Sequence, residues 1–271
     1  MLFLQTVTLI PYPSIHPVLL SIGPVDIRWY SLAYVAGILL GWRYIIALAN
    51  RDKGSVRRKD IDEFLVWAML GIIIGGRIGW ALFYHPGYYL IHPHQILFIW
   101  QGGMSFHGGI LGMLTALLIF TRSRKISFFT LADFVSCAAP IGLFLGRIAN
   151  FINGELYGQA TNVPWAMIFP TGGAVARHPS QLYEAALEGL LLFGILFWMS
   201  RRQSLRRQPG ILTGTFLCGY AIARIICEFF RQPDAHIGFL FSNSTMGQLL
   251  SVPILLVGVF VIVRAWPPPT Q

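Results

Sequence analysis

Charge is scarce in this sequence. Only 11% of its 271 residues are Asp, Glu, Lys or Arg, against about 25% in a soluble domain. Hydrophobic residues make up 55% and the mean hydropathy is +0.62. That excludes an ordinary soluble chain and predicts an all-α polytopic membrane protein. Residues 1–27 contain no Lys or Arg, so the basic region of a cleavable signal peptide is missing and none is expected. Cysteine is rare too. Cys137, Cys218 and Cys227 all sit in apolar runs and read as packing residues. The G-x-S-x-G elbow is absent, which disfavours a Ser/His hydrolase built on Ser105 and His107. His92 and His94 stand two apart with no Cys or acid beside them, so neither a metal nor a cofactor is expected.

Long apolar runs are abundant instead. Seven stretches approach the roughly 20 residues a spanning helix needs: about 28–49, 61–84, 97–120, 129–151, 181–200, 211–231 and 246–264. The third is the least regular, because Gly102-Gly103 and Gly108-Gly109 weaken a helix. Alternate loops differ in charge. Arg51, Lys53, Arg57, Arg58 and Lys59 fill the first, Arg122, Arg124 and Lys125 the third, Arg201, Arg202, Arg206 and Arg207 the fifth. Residues 85–95 and 232–245 have no Lys or Arg, and 153–180 has only Arg177. By the positive-inside rule the N-terminus is periplasmic, the C-terminus cytoplasmic, and 153–180 a small periplasmic loop region. The net charge of +9 is explained by these loops, and nucleic acid is not expected as a partner.

The few charges inside apolar runs are informative, since a cation in hydrocarbon is costly and marks function. Arg77, Arg147 and the group Tyr220, Arg224, Glu228 and Arg231 all fall in the outer half of the expected membrane. Glu184 and Tyr30 begin spans at the same face. The spacing of 220, 224, 228 and 231 stacks them on one helix face, where Arg224 and Glu228 can pair. A polar seam between helices is one reading. The other is a cationic, outward-opening cavity that lacks its anion, with guanidinium groups arranged for a lipid phosphate.

Two further segments carry candidate chemistry. His107, bracketed by Gly-Gly pairs, is either a buried histidine bonded to a carbonyl or a proton-transfer group. Asn150, Asn153 and Glu155 follow Arg147, ahead of Gly158. They either cap the helix and fold the loop, or hold a glycerol group beside Arg147.

The runs Gly146–Gly158, Phe106–Gly112, Arg177–Glu184, Glu228–Asp234, Trp29-Tyr30 and Gly75–Gly79 resemble bacterial prolipoprotein diacylglyceryl transferase, in order, over about residues 20–265. The resemblance implies a seven-span inner-membrane enzyme with its site facing the outer leaflet. Such an enzyme moves the diacylglyceryl group of phosphatidylglycerol onto the lipobox cysteine of a prolipoprotein signal peptide and releases glycerol 1-phosphate. It also implies roles for Tyr30, His107, Arg147, Asn150, Gly158, Tyr220, Arg224, Glu228 and Arg231. Arg147 and Arg224 are assigned the phosphate and His107 the thiol proton, though a thiol pKa lowered by arginine would serve without His107. An anionic-lipid transporter or scramblase is the alternative, and the bias to one leaflet argues against it.

Overall fold

The computed structural model describes residues 10–13, 15–51, 56–233 and 244–266; Asp234 and His236 lie outside the described residues. The chain divides into two compact units, one of residues 1–44 and 135–271, the other of residues 45–134. A hairpin of β1 (Val18–Ile22) and β2 (Val25–Arg28) turns at Gly23, φ +60°. It leads into α1 (Trp29–Ala49), then α2 (Arg58–Phe83), the short α3 (Pro86–Ile91), α4 (Phe106–Arg124) and α5 (Phe128–Ile152). After a two-residue ribbon, β3 (Met167–Ile168) with β4 (Ala176–Arg177), come α6 (Ser180–Arg201), α7 (Ile211–Glu228) and α8 (Met246–Ala265). Among the described residues seven helices, all of these but α3, are long and apolar enough to cross a membrane. Their outward side chains are apolar: Leu70 is 52% exposed, Leu256 65% and Val263 69%. In water such a surface would drive aggregation; against acyl chains it is at rest. The chain is a multi-pass membrane protein.

Two boundaries differ from the expectation. The third span, read as 97–120, is helical only from Phe106 to Arg124. Gly102 and Gly103 both adopt φ +80°, a conformation that ends a right-handed helix, and residues 93–101 form 3-10 turns instead. The sixth span, read as 211–231, ends at Glu228, which leaves Arg231 outside the helix.

In the unit of residues 45–134, α2 and α4 touch backbone to backbone. A Cβ on Gly71 would lie 2.6 Å from the carbonyl oxygen of Gly112, and one on Gly79 2.7 Å from Gly108 Cα. Small residues at four-residue spacing permit this approach in a membrane, where packing replaces the hydrophobic effect between helices. Towards the other end Phe120 closes the pair, its ring 5.4 Å from Phe64.

Candidate active site

In the unit containing residues 135–271 the charged groups come together. Arg147 lies in the last turns of α5, Glu184 and Glu188 in the first turns of α6, and Arg224 and Glu228 in the last turns of α7. Close helix contacts bring them into reach: a Cβ on Gly189 would meet Phe144 Cβ at 2.7 Å, and one on Gly219 would meet Leu192 Cδ1 at 2.5 Å. Residues 185–191 form a π-helical stretch of α6, a distortion common at functional sites.

Glu184, wholly buried, is the hub. Its Oε1 accepts hydrogen bonds from Arg224 Nη1 at 3.1 Å and Arg231 Nη1 at 3.0 Å. Its Oε2 lies 2.7 Å from Arg147 Nε. Arg224 Nη2 pairs with Glu228 Oε1 at 2.5 Å, the i, i+4 contact that the spacing predicts, and Arg231 Nε lies 3.8 Å from the same oxygen. Glu188, also wholly buried, stands 3.5 Å from Arg147 Nη2 and 3.8 Å from Arg224 Nη1. Arg147, Arg224 and Arg231 therefore converge on the one carboxylate of Glu184. Tyr220 stacks on Phe216 at 6.1 Å, one turn from Arg224.

The loop after α5 is built from its own polar groups. Asn150 Nδ2 and Asn153 Nδ2 donate to Glu155 Oε1 at 2.8 and 3.3 Å, and Gln181 Nε2 donates to the Glu155 carbonyl at 2.6 Å. Asn150 and Glu155 also act electrostatically on the Tyr30 hydroxyl, which lies 3.3 Å from that of Tyr34. Gly158 donates its N–H to the His178 carbonyl and bridges antiparallel to Arg231. A Cβ there would lie 2.8 Å from His178 O and closer still to Phe230 O, so only glycine lets the loop grip the chain just before Arg231. His178 rests between Tyr183 and Phe230, and burial pushes its pKa below the usual histidine value.

His107 belongs to the other unit. It is exposed on the first turn of α4, with its ring 5.7 Å from Phe106. It is therefore not a buried histidine. Ser105 is the N-cap of α4, its Oγ accepting from Gly108 N at 3.2 Å, which accounts for a serine there without chemistry.

A family model described as prolipoprotein diacylglyceryl transferase matches residues 17–264. The chain belongs to this family. Among its relatives, the phosphatidylglycerol–prolipoprotein diacylglyceryl transferase of Paramagnetospirillum magneticum is 55% identical over 256 residues, 94% of each chain. The like-named proteins of Rhodospirillum centenum and Sinorhizobium medicae are 54% and 53% identical, again over at least 94% of each chain. Membership makes the chain an enzyme, a transferase of lipoprotein biosynthesis, and the transporter or scramblase alternative finds no support.

For this member of the diacylglyceryl transferase family, two expectations need correction. The cationic stripe does not lack an anion: Glu184 and Glu188 join Glu228, so three carboxylates face three arginines. Glu188 was missed. It stands four residues after Glu184 in an otherwise apolar run, so the spacing was its signal. Arg77 does not stand unpartnered either. Buried, it donates to the carbonyls of Gln95, Ile96, Phe98, Gly102 and Gly103, holding non-helical backbone that hydrocarbon would not tolerate unpaired. An open cavity of about 340 Å³ beside it is lined by Trp80, His85, Tyr88 and Gln101.

Proposed function

We propose that the chain transfers the diacylglyceryl group of phosphatidylglycerol to the lipobox cysteine thiol of a prolipoprotein signal peptide, at the outer leaflet of the bacterial inner membrane. One observation carries the site assignment: Arg147, Arg224 and Arg231 converge on the buried Glu184, at 2.7, 3.1 and 3.0 Å. The carboxylates hold the three guanidinium groups in place before any ligand arrives. The sulfur attacks the glycerol carbon, an S–C bond forms, and the C–O bond to phosphate breaks with its electrons on the phosphate oxygen. Arg147 and Arg224 stabilise that developing charge, and the thiol proton is released to a base. Asn150, Asn153, Glu155 and Tyr30 order the wall beside Arg147. Gly158 holds the backbone that carries Arg231, and Glu228 and Tyr220 flank Arg224.

The test is release of glycerol 1-phosphate from phosphatidylglycerol plus a lipobox peptide by purified protein in detergent. Wild type releases it, and Arg147→Lys and Arg224→Lys retain little activity, because an ammonium lacks the planar fork. A wild-type preparation that releases none overturns the assignment. Orientation is read separately: a reporter after Gln271 should score cytoplasmic and one near Gly172 periplasmic, and the reverse pattern removes the outer-leaflet site.

A further inference from the structure

Neither oxygen of Glu188 receives a hydrogen bond, although the side chain is wholly buried. Carboxylates buried in proteins normally collect donors, and one without them needs an explanation. Glu184 has two N–H donors, and Glu228 accepts from Thr245 Oγ1 at 2.6 Å. Glu188 has only guanidinium nitrogens at 3.5 and 3.8 Å, beyond good hydrogen-bond range. The groups facing it are Arg147 from α5, Tyr220, Arg224 and Cys227 from α7, Arg231 just past α7, and Glu184 on its own helix.

The formal charge of this cluster is already zero, three arginines against three glutamates. A phosphodiester monoanion entering it would bring an uncompensated charge into a site with low dielectric response, which is strongly unfavourable. Either the anion stays out or the cluster gains a positive charge. A proton is the only cation small enough to reach a side chain with no exposed surface.

Building on the transferase reading, we propose that Glu188 takes up one proton when the phosphate of phosphatidylglycerol binds and gives it to the phosphate product. Of the three carboxylates it is the one that loses no hydrogen bond on becoming neutral. Protonation also releases Arg147 and Arg224 from one partner, so their N–H groups turn more fully to the phosphate. The step balances. The thiol proton leaves to water as the S–C bond forms. The C–O bond breaks and would leave a phosphomonoester dianion, whose second ionisation lies near pH 6. The Glu188 proton passes to that phosphate, the product departs as a monoanion, and Glu188 is ionised again.

Phosphatidylglycerol alone binds without turnover, so proton uptake can be measured by titrating short-chain phosphatidylglycerol into the detergent-solubilised full chain in two buffers of different ionisation enthalpy. Wild type should take up about one proton per lipid near pH 7, with affinity weakening about tenfold per pH unit above the transition. Glu188→Gln, a fixed neutral mimic, should still bind the lipid, with no uptake and a flat pH dependence. Wild type that binds lipid with no uptake and no pH slope overturns the proposal, even where Glu188→Gln does not fold. So does undiminished uptake in Glu188→Gln. The same wild-type preparation is assayed for glycerol 1-phosphate release. Transfer without proton uptake refutes the role of Glu188 alone, while absence of transfer refutes the transferase reading and this proposal with it.

Discussion

Thr245 donates its hydroxyl to Glu228 Oε2 at 2.6 Å. The same oxygen, Oγ1, accepts from Gln248 N at 3.2 Å and so caps α8. One side chain thus starts the last helix and fixes the carboxylate that pairs with Arg224. A Cβ on the neighbouring Gly247 would lie 2.5 Å from Glu228 Cδ, so the carboxylate is enclosed on that side as well.

Thr245→Val keeps the shape and removes both bonds. Stranding a buried carboxylate and losing a cap each cost about 1–2 kcal/mol. The variant should melt lower in detergent, and kcat for transfer should fall more than KM rises. Thr245→Ser should restore both. Normal turnover in Thr245→Val would show that Glu228 needs no support from α8.

Arg77 variants separate structure from substrate binding. Neither Ala nor Lys can serve five carbonyls as a planar guanidinium does, so both should lower the melting temperature markedly. Phosphatidylglycerol affinity of the fraction that stays folded should be unchanged. A thermally normal Arg77→Ala with weakened lipid binding would return Arg77 to the substrate site.

Gly158→Ala should lose most activity, because the added methyl pushes against Phe230 O and His178 and shifts the backbone of Arg231. Gly194→Ala is the control. Nothing lies within 4 Å of its added Cβ, and alanine in a helix is favoured by about 1 kcal/mol over glycine. Equal behaviour of the two variants, measured as transfer rate, would remove the positioning role of Gly158.

A variant with Cys137, Cys218 and Cys227 changed to Ala or Ser should keep substantial activity. Cys137 and Cys227 are wholly buried and Cys218 Sγ faces the Leu255 carbonyl at 3.8 Å, so none is presented as a nucleophile. Complete loss of transfer in a folded, inserted triple variant would instead indicate a thioether intermediate on the enzyme.

Much of this was legible beforehand because membranes impose simple rules. A helix that must satisfy its own backbone in hydrocarbon announces itself by length and apolarity, and all seven spans were placed to within a few residues except where Gly102 and Gly103 break the third. The Arg224–Glu228 pair followed from spacing alone. What escaped was three-dimensional. The spacing of Glu188 from Glu184 marks one helix face, but its arginine partners show only once α5 and α7 are laid against α6. The partners of Arg77 are carbonyls, which every residue carries and no sequence pattern marks. The hairpin of β1 and β2 was missed because its exposed Leu19, Leu20 and Ile22 lack the alternation that signals a half-buried strand.

The ring of carbonyls around Arg77 also constrains how the chain enters the bilayer. When α2 emerges from the insertion machinery, its guanidinium has no partner until residues 95–103 have been synthesised and wrapped around it. The helix must wait at a hydrated boundary for the segment that follows. Residues 58–103 are therefore expected to cross the threshold as one cooperative piece, and a ribosomal stall placed between them should leave α2 extractable by alkali.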